Sequence, residues 1–114
     1  MTDVLAALQA GTFPVHNEDR LQQALAEVLT PFGFVREYVI AEGRLDFYRE
    51  SDQTAIEVKV QGRKAEVARQ LGRYAECAQI SQLILVTSKP TLADVPASLC
   101  DKPIYVIKLY QSIL

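Results

Sequence analysis

The chain has 114 residues, of which 49% are apolar and 23% charged, and its formal net charge is −2. This length fits one domain, which we place over residues 1–114, and the composition is typical of soluble globular proteins. The acidic balance excludes a DNA-binding surface that covers the whole protein, so any DNA contact must rest on a local basic patch. The chain start lacks a basic segment and no apolar run could span a bilayer. We therefore expect a cytoplasmic protein without membrane contact.

The two cysteines, Cys77 and Cys100, and the single histidine match no zinc-binding pattern. We expect both cysteines to be small buried apolar residues in a reducing compartment. The sequence contains no glycine loop that would cradle a phosphate and no recognisable Ser-His-Asp arrangement. An organic cofactor is therefore not predicted.

The first half of the chain predicts two helices followed by a meander of three strands. Thr2 begins a short helix that ends at Gly11, and Asn17 is a good N-cap for a second helix. Apolar residues give that second helix one buried stripe: Leu21, Leu25, Val28 and Leu29. The predicted strands are Val35–Ile40, Arg44–Arg49 and Thr54–Val60.

The second half predicts a helix, a strand buried on both faces, a loop and a last strand. These segments are roughly Lys64–Ala78, Gln82–Thr87, Pro90–Leu99 and Ile104–Leu109. The residues of the helix expected to face the core are Val67, Leu71, Tyr74 and Ala78. A strand, a helix and a buried strand in succession imply a crossover, so part of the sheet should be parallel. The sequence thus predicts an α/β fold, with a mixed sheet sandwiched by helices.

Strand alternation brings three charged side chains together. Leu45 and Phe47 are expected to share one face and to line the core, which leaves Asp46, Glu57 and Lys59 on the opposite face. A two-residue turn at positions 51–52 would set Asp46 directly opposite Glu57. Two facing carboxylates repel each other, and a divalent cation such as Mg²⁺ or Mn²⁺ between them would reverse that effect. The pattern therefore predicts a metal site.

This pattern resembles a known family. Asp46, followed after ten residues by Glu57-Val58-Lys59, resembles the PD-(D/E)XK nuclease superfamily, with Leu45 at the position of the family's proline. The segment Gln70-Leu71-Gly72-Arg73-Tyr74 is similar to the Q-x-x-x-Y signature of the RecB-like branch, which is also Holliday-junction-resolvase-like. Gly43-Arg44-Leu45-Asp46 is similar to the G-x-x-D of that branch. The resemblance extends roughly over residues 17–109 and implies a restriction-endonuclease-like αβββαβ core.

The resemblance also implies roles for individual residues. Asp46, Glu57 and the carbonyl of Val58 would hold the metal, and Lys59 would position or activate the attacking water. Gln70 and Tyr74 would brace the site or contact the substrate strand. The family also places an acid on its first helix, and by the resemblance Glu18 would support the metal there through a water. The helical angle favours Glu18, which falls on the apolar stripe, over Glu27.

Arginines near this motif are candidate DNA contacts. Arg69 and Arg73 lie one helical turn apart, and Arg63 precedes the helix. Each feature also has a plain structural interpretation. The arginines and Lys64 could serve solubility, Glu57 and Lys59 could form a solvated strand face, and Glu18 could be a favourable first-turn acid.

Two classes of function follow. The first is a Mg²⁺-dependent nuclease that hydrolyses DNA in repair, recombination or phage DNA processing, and the motif leaves RNA open as a substrate. The second is a non-cleaving module of the same fold that binds DNA or a protein partner. The intact Asp46, Glu57 and Lys59 favour the enzyme. The acidic net charge favours the module, or an enzyme that holds DNA as a homodimer or with a partner.

Overall fold

The helices occur where the sequence predicts them, in a computed structural model that describes residues 1–109. Residues 110–114 of the predicted domain lie outside this described part. The helices are α1 (Thr2–Ala10), α2 (Glu18–Leu29) and α3 (Lys64–Ala75). Asn17 caps α2 as predicted, because its side-chain oxygen accepts the backbone N–H of Arg20 at 3.1 Å.

The third helix ends three residues earlier than the predicted Ala78. The backbone N–H of Glu76 donates to the carbonyl of Arg73, and that of Cys77 donates to Tyr74 at 3.0 Å. These short-range hydrogen bonds tighten the last turn and close the helix. The expectation that Ala78 faces the core is therefore wrong: Ala78 is exposed, and Ala75 is buried instead.

Six strands form one mixed sheet. They are β1 (Val35–Ile40), β2 (Gly43–Arg49), β3 (Thr54–Lys59), β4 (Gln82–Thr87), β5 (Ser98–Leu99) and β6 (Lys102–Lys108). The order across the sheet is β1-β2-β3-β4-β6-β5. The first three strands are an antiparallel meander, and β3, β4 and β6 run parallel. The segment predicted as a loop contains a 3₁₀ turn, Pro90–Ala93, and the short strand β5.

The helices cover both faces of the sheet. Leucines of α1 and α2 pack with Phe47, Ile56 and Val58 in one buried cluster. Tyr74 of α3 packs with Ala55 in a second cluster. Strand β4 is buried on both faces, as predicted, because its alternating residues contribute to clusters on the two sides. The prediction of an α/β fold with a mixed sheet is therefore confirmed.

The expectation that Leu45 and Phe47 share a face is wrong. Both are buried, but Phe47 packs in the cluster beneath α1 and α2, whereas Leu45 packs in the cluster beneath α3. A break in strand pairing explains the difference. In β1 and β2, Arg36 pairs with Phe47 and Tyr38 with Leu45, but Glu37 and Asp46, which lie between these pairs, are not paired. Glu37 has a φ of +57°, which interrupts the strand alternation.

Partners of β1 confirm this change of face. Arg36 donates a hydrogen bond to Gln22 of α2 at 3.4 Å, so it lies on the α2 side. Tyr38, two residues later, stacks on Tyr48 with 4.7 Å between ring centroids and lies on the α3 side. Regular alternation would have put Arg36 and Tyr38 on the same face.

The cysteines differ in their surroundings. Cys77 is buried as expected, whereas Cys100 is exposed, so the expectation of burial is wrong for Cys100. Cys100 and Asp101 have positive φ angles in the tight turn between β5 and β6, and a turn of this kind lies at the surface. None of the helices in residues 1–109 is long and apolar enough to cross a membrane.

The left-handed backbone at Glu37 generates a test of this fold. An L-residue in this conformation costs on the order of 1–2 kcal/mol, whereas glycine adopts it freely. We expect Glu37→Gly to leave the free energy of unfolding unchanged or to raise it by up to about 1 kcal/mol, and Glu37→Val to lower it by about 1 kcal/mol or more. Urea denaturation measures both variants.

The control is Val39, an exposed residue of the same strand that does not have a positive φ angle. There, replacement by glycine should destabilise the protein by roughly 0.5–1 kcal/mol. If Glu37→Val were more stable than Glu37→Gly, the backbone at this position would be ordinary strand.

Candidate active site

Strands β2 and β3 stop pairing at the carboxylates. Their regular ladder ends with Phe47 opposite Ile56, in the register that the sequence predicts. Beyond that pair, the side chain of Asp46 takes the place of a strand neighbour: its Oδ2 accepts the backbone N–H of Val58 at 2.8 Å. The backbone N–H of Asp46 donates to Glu57 Oε1 at 3.3 Å. The two acidic side chains are thus held against each other at the point where the strands separate.

Burial and charge act together on Glu57. Its side chain is only 2% exposed. Desolvation and the neighbouring charge of Asp46 raise the pKa of Glu57 to about 8, although the nearby ammonium of Lys59 lowers it. A carboxyl group with this pKa holds its proton at neutral pH unless another cation stabilises the charged form. The predicted grouping of Asp46, Glu57 and Lys59 is therefore present as geometry.

The donor set suits a hard divalent cation. Two carboxylates, one of them buried, are opposed in a position where the charge of Asp46 disfavours the charged form of Glu57. Mg²⁺ commonly binds through one or two carboxylates and keeps several water ligands. The carbonyl of Val58, whose N–H is already used by Asp46, could supply a further oxygen. Asp46, Glu57 and Val58 are thus the residues of this site that could hold a metal.

Glu18 does not join these carboxylates. It is exposed on the first turn of α2, a helix that packs on the face of the sheet opposite to α3. Within residues 1–109, no three side chains of the His, Cys, Asp or Glu type are grouped so that they could hold a metal ion. Glu27 is likewise exposed.

The two motifs of the resemblance touch each other. Gln70 Nε2 donates to the hydroxyl of Tyr74, which donates to the carbonyl of Arg44, both at 3.4 Å. Gly43 has a φ of +146°, and a Cβ there would lie 3.3 Å from the Tyr74 hydroxyl. Tyr74 is buried, and desolvation followed by the charge of Glu57 raises its pKa. The Tyr74 hydroxyl therefore connects α3 to the start of β2 from within the core.

A cleft of about 310 Å³ opens beside Lys59, between the end of β3 and one face of α3. We name it the arginine cleft; its charged and amide lining includes Lys59, Arg63, Arg69, Arg73, Gln70 and Glu66. Cations outnumber the single acid. Of these side chains none forms an ion pair within residues 1–109, where the ion pairs are Arg49–Asp52 and Lys64–Asp94. The three predicted arginines are thus brought together around one cavity.

Three features of the site are absent from the sequence interpretation. Val58 contributes its N–H to Asp46, Gln61 and Gly62 line the arginine cleft, and Glu66 places a negative charge in it. The signal for Gly62 was present in the sequence as a glycine between a strand and a helix, and its φ is +118°. The hydrogen bond to Val58 has no sequence signal, because any residue can donate its backbone N–H.

Comparison with known proteins adds no relative. The chain matches no family model, no curated protein and no solved structure. Membership of the PD-(D/E)XK superfamily therefore stays a prediction that rests on the motifs.

The raised pKa of Glu57 predicts how stability depends on pH. In metal-free buffer, the folded protein keeps this proton up to a pH of about 8, whereas an ordinary glutamate loses it near 4.5. The unfolded chain therefore releases the proton first, and the free energy of unfolding should fall as pH rises from about 4.5 to about 8 and then level off. Each unit of pKa difference corresponds to about 1.4 kcal/mol.

Denaturant titrations at several pH values, in the presence of a chelator, measure this dependence. Glu57→Gln should lose the Glu57 part of the slope, because an amide does not titrate. The variant should still fold, since its amide oxygen can accept the N–H of Asp46. Asp46→Asn should show this fall over a narrower pH range than the wild type, because it removes the charge that helps to raise the pKa of Glu57. Equal slopes in wild type and Glu57→Gln would show that Glu57 ionises normally.

Proposed function

We propose that this protein is a metal-dependent nuclease that hydrolyses DNA phosphodiester bonds. The observation that carries the proposal is the opposed pair Asp46 and Glu57, with Lys59 two residues further along β3 at the rim of the arginine cleft. A buried carboxylate that faces a second carboxylate lowers the stability of the fold. Groups with perturbed pKa values of this kind concentrate at functional sites. A divalent cation is the partner that would favour both ionised forms.

The residues divide the chemistry between them. Mg²⁺ or Mn²⁺ held by Asp46, Glu57 and the carbonyl of Val58 would supply positive charge that stabilises the reacting phosphate and makes water more acidic. Lys59 donates to a phosphate oxygen or holds the attacking water in line with the phosphorus. Water adds to phosphorus and gives up one proton, the ester P–O bond breaks, and the leaving oxygen takes up one proton, so that the products are a phosphate monoester end and a hydroxyl end.

The arginine cleft supports a phosphodiester substrate. Arg63, Arg69 and Arg73 present guanidinium groups next to Lys59, and guanidinium pairs with phosphate oxygens in a bidentate manner. The formal net charge of the protein is −2, so this cleft is the kind of local basic patch that a DNA-binding surface requires here. Phosphate contacts of this type position a strand without reading its bases.

The order of elements supports the same proposal. The order α2-β1-β2-β3-α3-β4 is the αβββαβ order that the resemblance to PD-(D/E)XK nucleases implies. Gln70 and Tyr74 connect α3 to the start of β2, in keeping with a bracing role for the Q-x-x-x-Y motif. We therefore propose a restriction-endonuclease-like core.

The second candidate is a module of the same fold that binds DNA without cutting it. One observation favours it: Glu18 lies apart from Asp46 and Glu57, so no third acid joins the pair in residues 1–109. Both candidates use the arginine cleft. A cleavage assay on single-stranded, duplex and branched DNA with Mg²⁺ or Mn²⁺ distinguishes them, because only the enzyme forms products.

Lys59 provides the sharpest test of the enzyme. Its ammonium lies beside Glu57 but outside the fully buried core, so Lys59→Ala should keep the fold and metal binding while cleavage falls by about 100-fold or more. Circular dichroism and a cleavage assay are made on the same preparation. Lys64→Ala is the matched control, since Lys64 is an exposed lysine paired with Asp94. Wild-type turnover by folded Lys59→Ala would remove Lys59 from the mechanism.

The arginines generate a separate prediction about binding. The double variant Arg69→Ala/Arg73→Ala should bind DNA more weakly in chelator, and each lost phosphate contact should reduce the slope of log affinity against log salt by about one unit. Fluorescence anisotropy over a salt series gives the slope. Arg20→Ala is the control, because it removes an exposed arginine of α2. A slope unchanged in the double variant would mean that these arginines are only solvated surface.

A further inference from the structure

Four clefts adjoin one another along the carboxyl ends of the parallel strands β3, β4 and β6. The first is the arginine cleft, and the others have volumes of about 230, 270 and 150 Å³. Neighbouring clefts share lining residues: Gln61 lines the first and second, Ser88 the second and third, and Lys108 the third and fourth. They therefore lie in series, from Lys59 across the carboxyl edge of the sheet.

We name the second and third clefts together the carboxyl-edge groove. Its lining includes Gln61, Ser88, Lys89, Pro90, Lys108 and Leu109. Open α/β sheets commonly bind ligands beyond the carboxyl ends of their strands. The groove lies at such an edge and begins where the arginine cleft ends.

Two lysines carry the charge of the groove. Lys89 and Lys108 are both exposed, and neither forms an ion pair with any residue of the described segment 1–109. Thr87, the last residue of β4, holds the backbone beside both: its hydroxyl accepts the backbone N–H of Lys89 at 3.1 Å, and its carbonyl accepts that of Leu109, the residue after Lys108, at 2.8 Å. Both lysines therefore line the same cavity from neighbouring strand ends.

The cavity between these lysines has apolar walls. Pro90 and Leu109 line it together with the two lysines. A phosphate needs the cations, whereas an apolar wall is suited to the flat face of an unpaired base. In a duplex the base faces are stacked on one another and cannot reach such a wall. The lining therefore favours a single strand over a duplex.

We propose that the carboxyl-edge groove binds a single-stranded DNA segment that continues from the arginine cleft. Lys89 and Lys108 contact its phosphates, and an unpaired base packs on Pro90 and Leu109. This inference rests on the proposed function, since it extends the substrate of the same site, but it can be tested by binding alone.

The test compares two lengths of single-stranded oligonucleotide, roughly 4 and roughly 16 nucleotides, in chelator so that no cleavage occurs. Anisotropy should show that wild type binds the longer strand several-fold more tightly per site. Lys89→Ala/Lys108→Ala should lose this advantage while its affinity for the short strand stays unchanged. With about 0.7 unit of salt slope per phosphate on single strands, the slope for the long strand should fall by about 1.4.

A charge-matched control is Arg20→Ala/Lys102→Ala, since neither residue lines the groove. Lys102 lies at the start of β6, the strand end opposite to Lys108, and its Nζ donates to the carbonyl of Cys77 at 2.6 Å. Thermal melting of every variant identifies any loss of folding. If Lys102→Ala unfolds the control, Arg20→Ala alone replaces it.

The inference is overturned if the Lys89/Lys108 variant binds the long strand as wild type does, if the control loses affinity equally, or if duplex binds more tightly than the single strand. The proposed function fails by a different result, the absence of cleavage with Mg²⁺ or Mn²⁺ on any DNA. Length-dependent binding without cleavage would keep the groove and reject the nuclease. Cleavage by a protein whose Lys89/Lys108 variant binds the long strand as wild type does would keep the nuclease and reject the groove.

Discussion

The bond between Asp46 and the backbone of Val58 is the constraint on which the site depends. Two antiparallel strands normally satisfy each other's backbone groups, and a carboxylate can enter that ladder only where the strands separate. Here the side chain of Asp46 accepts an N–H that a strand neighbour would otherwise satisfy. The same separation frees the N–H of Asp46 to donate to Glu57. The buried Glu57 and the half-buried Asp46 are thereby tolerated side by side, since each carboxylate has one oxygen that accepts a backbone N–H.

Helix α3 has a different role on each of its faces. Its buried face places the Tyr74 hydroxyl against Gly43 and the carbonyl of Arg44, which fixes the start of β2 just ahead of Asp46. Its solvent face carries Arg69 and Arg73 into the arginine cleft. One helix therefore positions both the acidic pair and the cations. Two motifs separated by more than twenty residues in the sequence are thereby in contact in the fold.

The sequence predicted the parts that depend on spacing. Strand period and turn length fixed the register of β2 and β3, and helical period brought Arg69 and Arg73 to one cleft. The change of face at Leu45 depends instead on the positive φ of Glu37, and glutamate is not a residue type that signals such a conformation. The exposure of Glu18 depends on how α2 packs against the sheet, which no local pattern encodes.

Side-chain exposure increases over a few residues at the end of β3, from a buried acid to a partly exposed cation. Glu57 is 2% exposed, Lys59 is partly exposed and Gln61 is exposed, while Val58 faces the opposite cluster. Strand alternation keeps Glu57 and Lys59 on one face of β3, and Gln61, just past the strand end, lines the arginine cleft with Lys59. Gly62 then turns the chain toward α3 with a φ of +118°, and a Cβ at this position would meet no heavy atom within 4 Å. Its conformation, rather than lack of space, requires glycine. A strand end of this kind places a desolvated acid, an ammonium group and the arginine cleft next to one another.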